Sequence, residues 1–124
     1  MIQNKLKIND DKTEFLVLSS PRAHVNKDLS LQIGGASIIS TSKCRNLGVV
    51  FDQHMTMDAQ VANVAKCMMF HLRNIAKIRH LITDTATIQL VHALVSSRLD
   101  YCNSFSYGLP DSLIGKLQRV QNIA

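Results

Sequence analysis

Val61-Ala62-Asn63-Val64-Ala65-Lys66-Cys67-Met68-Met69-Phe70-His71-Leu72-Arg73-Asn74-Ile75-Ala76-Lys77 is the stretch whose periodicity sets the architecture of this chain. Val61, Val64, Ala65, Met68, Leu72, Ile75 and Ala76 recur at i, i+3, i+4 and i+7, the spacing that lines one side of a helix with apolar groups. The pattern predicts an amphipathic helix from about Met57 to His80. Upstream of it the apolar residues follow a period of two. Downstream they keep the helical one.

On the upstream side, Phe15-Leu16-Val17-Leu18 is a short apolar run closed by Ser19-Ser20-Pro21, which predicts a buried strand. Leu29, Leu31 and Ile33 alternate with polar Ser30 and Gln32, and Gly34-Gly35 leads into Ala36 to Ile39. That is a hairpin signature, because paired glycines supply the positive φ that two-residue turns require. Leu47 to Phe51 is a further expected strand, ended by Asp52. Asn9-Asp10-Asp11 is a turn cluster, and residues 1–9 are expected to form the tail of a helix or an extended entry. On the downstream side, Thr83 or Asp84 can cap a second helix with Ile88, Val91, Leu94, Val95 and Leu99 facing inward. Pro110 suits the first turn of a third helix whose apolar side is Leu113, Leu117 and Val120. The fold class expected is α+β. A short antiparallel β-rich part, residues 1–53, precedes an all-helical bundle of about three helices, residues 54–124.

The composition fits a chain that folds. Of 124 residues, 46% are hydrophobic and 19% charged, well away from the disordered class. Aromatic residues make up only 5% and Trp is absent, so the core must be built from Leu, Ile, Val, Ala and Met. Three widely spaced cysteines, Cys44, Cys67 and Cys102, with no CxxC and no signal peptide, point to a reducing, intracellular compartment, nuclear or cytoplasmic, rather than secretion. No apolar run approaches the roughly 20 residues of a membrane span, so no membrane partner is expected.

The net charge of +5 is unevenly placed. Residues 1–58 carry seven Lys/Arg against six Asp/Glu, and residues 59–124 carry seven against three. Between Ala59 and Thr83 there are four basic residues and no acid. At about 100° per residue, Lys66, Arg73, Lys77 and His80 fall close together on the helix, opposite the apolar stripe, with Phe70 among them. A basic stripe with an aromatic in it can track a phosphate backbone and stack on a base. A solvated helix face bearing one exposed Phe is the plainer account of the same residues.

Other candidate groupings are weaker. Cys67 and His71 sit at i, i+4, but a structural zinc needs four ligands and neither His54 nor Cys102 has a paired spacing, so no metal site is assigned. His92, Ser96 and Ser97 have no acidic orienter in a recognisable order, and no catalytic residue is assigned among them.

Four segments, in order, carry a family likeness: Asn4-Lys5-Leu6-Lys7-Ile8-Asn9 leading to Lys12-Thr13-Glu14; Asn46-Leu47-Gly48-Val49-Val50-Phe51-Asp52; Arg98-Leu99-Asp100-Tyr101-Cys102-Asn103 with Tyr107-Gly108-Leu109-Pro110; and Leu117-Gln118-Arg119-Val120-Gln121-Asn122. Together they resemble the reverse transcriptases of non-LTR (LINE-type) retrotransposons in the region after the polymerase active site. The resemblance implies the last strands of a palm followed by the start of a helical thumb. It implies that Leu47-Gly48-Val49 supports the primer end, and that Lys12 lies near the phosphates of the entering nucleotide, where its charge could serve the leaving pyrophosphate. It places the metal-holding aspartates upstream of Met1 and so implies a chain cut from a longer one, with its last helix running on past Ala124. Asp10-Asp11 has the composition that two-metal phosphoryl transfer needs, but its setting between Asn9 and Lys12 matches the later Lys-Thr-Glu segment instead. Mg²⁺ is then expected only in a full-length parent polymerase, with no cofactor in this chain. The partners implied are an RNA/DNA template–primer and the rest of the polymerase. The function expected is that of a non-catalytic piece of an RNA-directed DNA polymerase. The alternative is a small helical protein-interaction module retained from a degraded element.

Overall fold

The computed structural model describes residues 9, 12–23, 29–33, 35–101, 103 and 107–124. The expectations for residues 1–8, and for Asp10, Asp11, Gly34 and Cys102, lie outside the described residues. The fold is α+β, and the chain divides into two units, Met1–Met55 and Thr56–Ala124.

Among the described residues the first unit holds five strands in two small sheets. β1 (Phe15–Leu16), β2 (Ser30–Ile33) and β3 (Ala36–Thr41) form one sheet in the order β1-β3-β2. β2 and β3 are the expected antiparallel hairpin, closed by the pair Ile33↔Ala36 across two residues. Alternation is clean in β3: Ala36, Ile38 and Ser40 are half-buried while Ser37, Ile39 and Thr41 face solvent, as the strand's period of two requires. β1 pairs parallel with β3, Phe15 opposite Ser40.

The buried strand expected over Phe15–Leu18 is shorter and less covered. Only Phe15 and Leu16 pair, both half-buried, and Leu18 is exposed. The reason lies in the next residues. The Ser19 N–H donates to the Gln53 carbonyl (2.9 Å), so the chain leaves the β3 ladder after two residues.

β4 (Lys43–Asn46) and β5 (Val49–Asp52) form the second sheet, an antiparallel hairpin in which Asn46 faces Val49 and Cys44 faces Phe51. This corrects the strand expected over Leu47–Phe51. Leu47 and Gly48 are the two-residue turn, with φ of 48° and 87°, the left-handed pair that a type I′ turn demands.

The second unit is helical. α1 runs from Asp58 to Ile78 and a 3₁₀ turn, Arg79–Leu81, ends it. Val61, Met68, Leu72 and Ile75 are buried and Val64 and Ala65 half-buried, as the spacing predicts. Ala76 is exposed, a correction at the stripe's margin. Thr83 is the cap of α2 (Asp84–Val91), its hydroxyl accepting from the Ala86 N–H at 3.2 Å, which satisfies one of the orphan donors of a helix start. The helix continues through a π segment, His92–Ser96, into α3 (Ser97–Asp100).

Of the expected inward residues, Val95 is buried and Val91, Leu94 and Leu99 half-buried, but Ile88 is 57% exposed. The π segment interrupts the 3.6-residue repeat on which that expectation stood. α4 spans Asp111–Ile123, with Pro110 at the cap position and its carbonyl accepting from the N–H groups of Leu113 and Ile114.

The core sits in this unit. Met68, Leu72, Val95 and Val120 form a cluster, with Val64, Ala65, Met69, Val91 and Leu99 packed against it, and α1 and α4 are in direct contact. Each such side chain removed from water contributes roughly 1.5–3 kcal/mol. No helix among the described residues is long and apolar enough to cross a membrane.

Candidate nucleic-acid interface

Burial of one side of α1 dictates what its other side shows. With Val61, Met68, Leu72 and Ile75 turned to the core, the residues half a turn away must meet solvent, and Lys66, Phe70, Arg73 and Lys77 do. His80 follows, exposed, in the 3₁₀ turn. Phe70 is 61% exposed, and its ring meets the edge of half-buried His71 in a T-shaped contact with centroids 5.5 Å apart. From Lys66 to Lys77 the helix rises roughly 16 Å at ~1.5 Å per residue, so three fixed cations span more than one phosphate step of a nucleic-acid backbone.

Charge on this face is not cancelled locally. Lys66, Arg73 and Lys77 form no ion pair among the described residues. The next basic residue, Arg79, differs. Its guanidinium bonds the carboxylate of Asp84 in the first turn of α2, so Arg79 belongs to the corner between the helices and adds little to the field of α1. A row of unpaired cations around an exposed ring suits a polyanion with stackable bases.

The strand unit carries a second surface of related composition. Leu47, at the tip of the β4–β5 turn, is 83% exposed with left-handed backbone. A non-glycine residue there costs about 1–2 kcal/mol, and turns of this type take Asn, Asp or Gly for that reason. Val49, directly after the turn, is buried and anchors the hairpin. Lys43 and Arg45 are exposed on β4, at alternate positions that share one side of the strand. Sequence reasoning passed over these two because Lys43-Cys44-Arg45-Asn46 lacks an apolar alternation. The signal that could have found them is the pairing of a polar Asn46 with Gly48 across one residue.

What holds the hairpin is polar and was also unforeseen. A Glu14 carboxylate oxygen accepts from the Arg45 N–H at 3.1 Å. Buried Asp52 accepts from the His54 N–H at 3.1 Å, and His54 Nδ1 lies 3.0 Å from the Ser19 carbonyl oxygen. That carbonyl can only accept, so Nδ1 carries the proton, and Nε2 accepts from the Gln53 amide at 2.8 Å.

The remaining sequence candidates are dispersed. Lys12 is exposed, with its N–H donating to the Asn9 carbonyl at 3.1 Å. Cys67 and His71 stand on α1, and no group of three His, Cys, Asp or Glu converges among the described residues. The Ser97 hydroxyl donates to the Ala93 carbonyl and is thus used within its own helix. A shallow groove of about 340 Å³ beside Leu99, Ile114 and Leu117 is rimmed by Asp100, Gln118 and Gln121 and lined by no cation, which is the wrong electrostatic lining for phosphate. Comparison with protein-family models, with curated proteins and with solved structures returns no match.

Proposed function

We propose that the chain binds template–primer nucleic acid as the non-catalytic end of a reverse transcriptase of the non-LTR retrotransposon type. The observation that carries this reading is the outer face of α1, where Lys66, Arg73 and Lys77 stand exposed around Phe70 with no ion pair among the described residues. The four sequence segments that resemble such polymerases support it. So does the Leu47-Gly48 tip, where an exposed apolar side chain is kept in a costly backbone conformation. Strain retained at one exposed position motivates a contact made there. In this reading the α1 face tracks the duplex backbone, the hairpin tip supports the primer, and Lys12 serves the nucleotide's phosphates. The metal-dependent chemistry belongs to carboxylates elsewhere in a parent polymerase.

The test is salt-dependent binding of the full chain to a labelled RNA–DNA duplex, followed by fluorescence anisotropy. Replacing Lys66, Arg73 and Lys77 together with Gln should lower the log–log salt slope by about two to three units, because each neutralised phosphate releases counterion. Helix content should persist, since Gln matches Lys and Arg as a helix former. Phe70→Ala should weaken binding with little change in slope, because stacking releases no ions. A triple variant that binds like the parent at every salt concentration would remove this face from consideration.

A second reading is a helical protein-interaction module. It is favoured by the concentration of buried apolar residues in Thr56–Ala124. Absence of any salt-dependent nucleic-acid binding, together with a transcript that starts independently at Met1, would turn the balance to it.

A further inference from the structure

The run from Asp84 to Asp100 is one helix in two registers. In α2, Ala86, Thr87, Leu90 and Val91 are half-buried, while Ile88, Gln89 and His92 beside them face solvent. Within the π segment Val95 is buried and Ser96 half-buried, and past it Leu99 is half-buried. Seven residues make nearly two α-turns, so in an unbroken helix Ile88 would stand within about 20° of Val95, and Leu90 about 140° away from it. The structure has the opposite arrangement, Ile88 outside and Leu90 partly covered. One residue taken up by a π turn displaces the two halves by about 100°, which accounts for the reversal.

Ser97 makes two bonds to this segment. Its N–H donates to the His92 carbonyl, five residues back, which is the π pattern. That leaves the Ala93 carbonyl without the N–H it would receive in an α-helix. The Ser97 hydroxyl fills the vacancy at 2.5 Å.

We propose that this helix is a two-register element latched by Ser97. With the hydroxyl on Ala93 the segment is π and Ile88 is presented to solvent. When the hydroxyl lets go, the Ser97 N–H moves from the His92 to the Ala93 carbonyl, and the segment becomes α. α2 then turns by about 100°, carrying Ile88 to the side of Val95 and Leu90 outward. One backbone hydrogen bond is exchanged for another and one apolar side chain for another, so the two states are closely matched, as a bistable element requires. A ligand that engages Ile88 holds the π state, and one that engages Leu90 holds the α state.

The experiment uses the full chain with Cys44, Cys67 and Cys102 replaced by Ser, and a single reporter thiol at Leu90→Cys or Ile88→Cys. Ser97→Ala should speed maleimide labelling of the residue-90 reporter about fivefold, the scale of one lost hydrogen bond, without speeding the residue-88 reporter. Ser97→Thr, which keeps the hydroxyl, should label like the parent. Deleting Ala93 should make the residue-90 reporter fast and the residue-88 reporter slow. Equal acceleration of both reporters means simple destabilisation and overturns the proposal, as do unchanged rates in both the Ser97→Ala and the deletion variants. If the cysteine-free chain does not fold, the native-cysteine chain decides by urea unfolding. There Ile88→Asp should be tolerated and Leu90→Asp destabilising in the parent, with the order reversed on deletion of Ala93. An unreversed order overturns the proposal.

Discussion

The two units of this chain use similar residues to different effect. In Thr56–Ala124, three helical runs shelter one another's apolar stripes, and Met57, Val61, Met68, Leu72, Ile75, Val95, Leu113 and Val120 are buried. In Met1–Met55, Val49 is the buried hydrophobic among the described residues, while Leu18, Leu29, Leu31, Ile39 and Leu47 remain exposed. The difference is one of layers. A helix buries one stripe, and three helices can close around a single axis. A sheet has two faces and needs a second layer over at least one of them. Sheets of two and three strands, with no helix beside them among the described residues of that unit, supply no such layer there. The helical unit therefore has the makings of an independent core, and the strand unit presents surface that another layer would cover.

The sharpest way to break this contrast is to remove one buried group from each unit. Met68 is fully buried at the centre of the helical cluster. Met68→Ala should cost about 2–5 kcal/mol, the range for emptying such a site, and lower the urea midpoint followed by circular dichroism at 222 nm. Phe15 is half-buried in a two-residue strand. Phe15→Ala should cost clearly less than the roughly 3–5 kcal/mol of a core Phe, measured as amide exchange in β1 and β3. If the Phe15 variant loses as much as the Met68 variant, the strand unit has a core of its own and the contrast fails.

The hairpin tip sharpens the comparison in the other direction. In the helical unit stability and packing coincide, whereas at Leu47 they conflict. Leu47→Asn should stabilise the β4–β5 hairpin by about 1 kcal/mol, because Asn tolerates the left-handed backbone that Leu resists. The rise should appear as slower amide exchange at Cys44 and Phe51, which face each other in the ladder. The same substitution should weaken nucleic-acid binding in the anisotropy assay. A stabilised hairpin with unchanged binding would mean that the exposed Leu47 is strain without use.

How much of this could be read in advance follows from the same physics. The α1 stripe was legible because six of its seven predicted residues, all but Ala76, are at least half-buried, and a long 3.6-residue pattern leaves few alternatives. The cap at Thr83 and the pairing of β2 with β3 were legible because each rests on a local pattern. Ile88 was misplaced because a π turn shifts the helix phase without any marker in residue type. The β4–β5 hairpin was missed because β4 is too polar to show a strand's alternation and its turn carries Leu where Asn or Gly signals it. The exposed cations of α1 were legible as the complement of its buried side. The pairing of Arg79 with Asp84 depends on how tightly the corner between α1 and α2 is turned, and a helical wheel contains no such information.

That corner gives the smallest effects and tests how far the helical unit's stability resides in its core. Thr83→Ala removes the hydroxyl that accepts from Ala86 and should cost about 1 kcal/mol. The Arg79–Asp84 pair is half to mostly exposed, at 48% and 83% of the side-chain surface. Solvent screening therefore limits it to the roughly 0.2–1 kcal/mol of surface pairs. Asp84 also lies in the first turn of α2, where a negative charge favours the helix dipole independently of Arg79. Arg79→Gln and Asp84→Asn separate the two contributions. Both should lower the thermal midpoint slightly at low salt, Asp84→Asn the more, and both differences should shrink as salt approaches 1 M, where the Debye length falls to about 3 Å. A double variant that equals the sum of the singles would show that the pair itself adds nothing. A coupling above about 1 kcal/mol would instead make the corner, and not only the Met68 cluster, a determinant of the helical unit's stability.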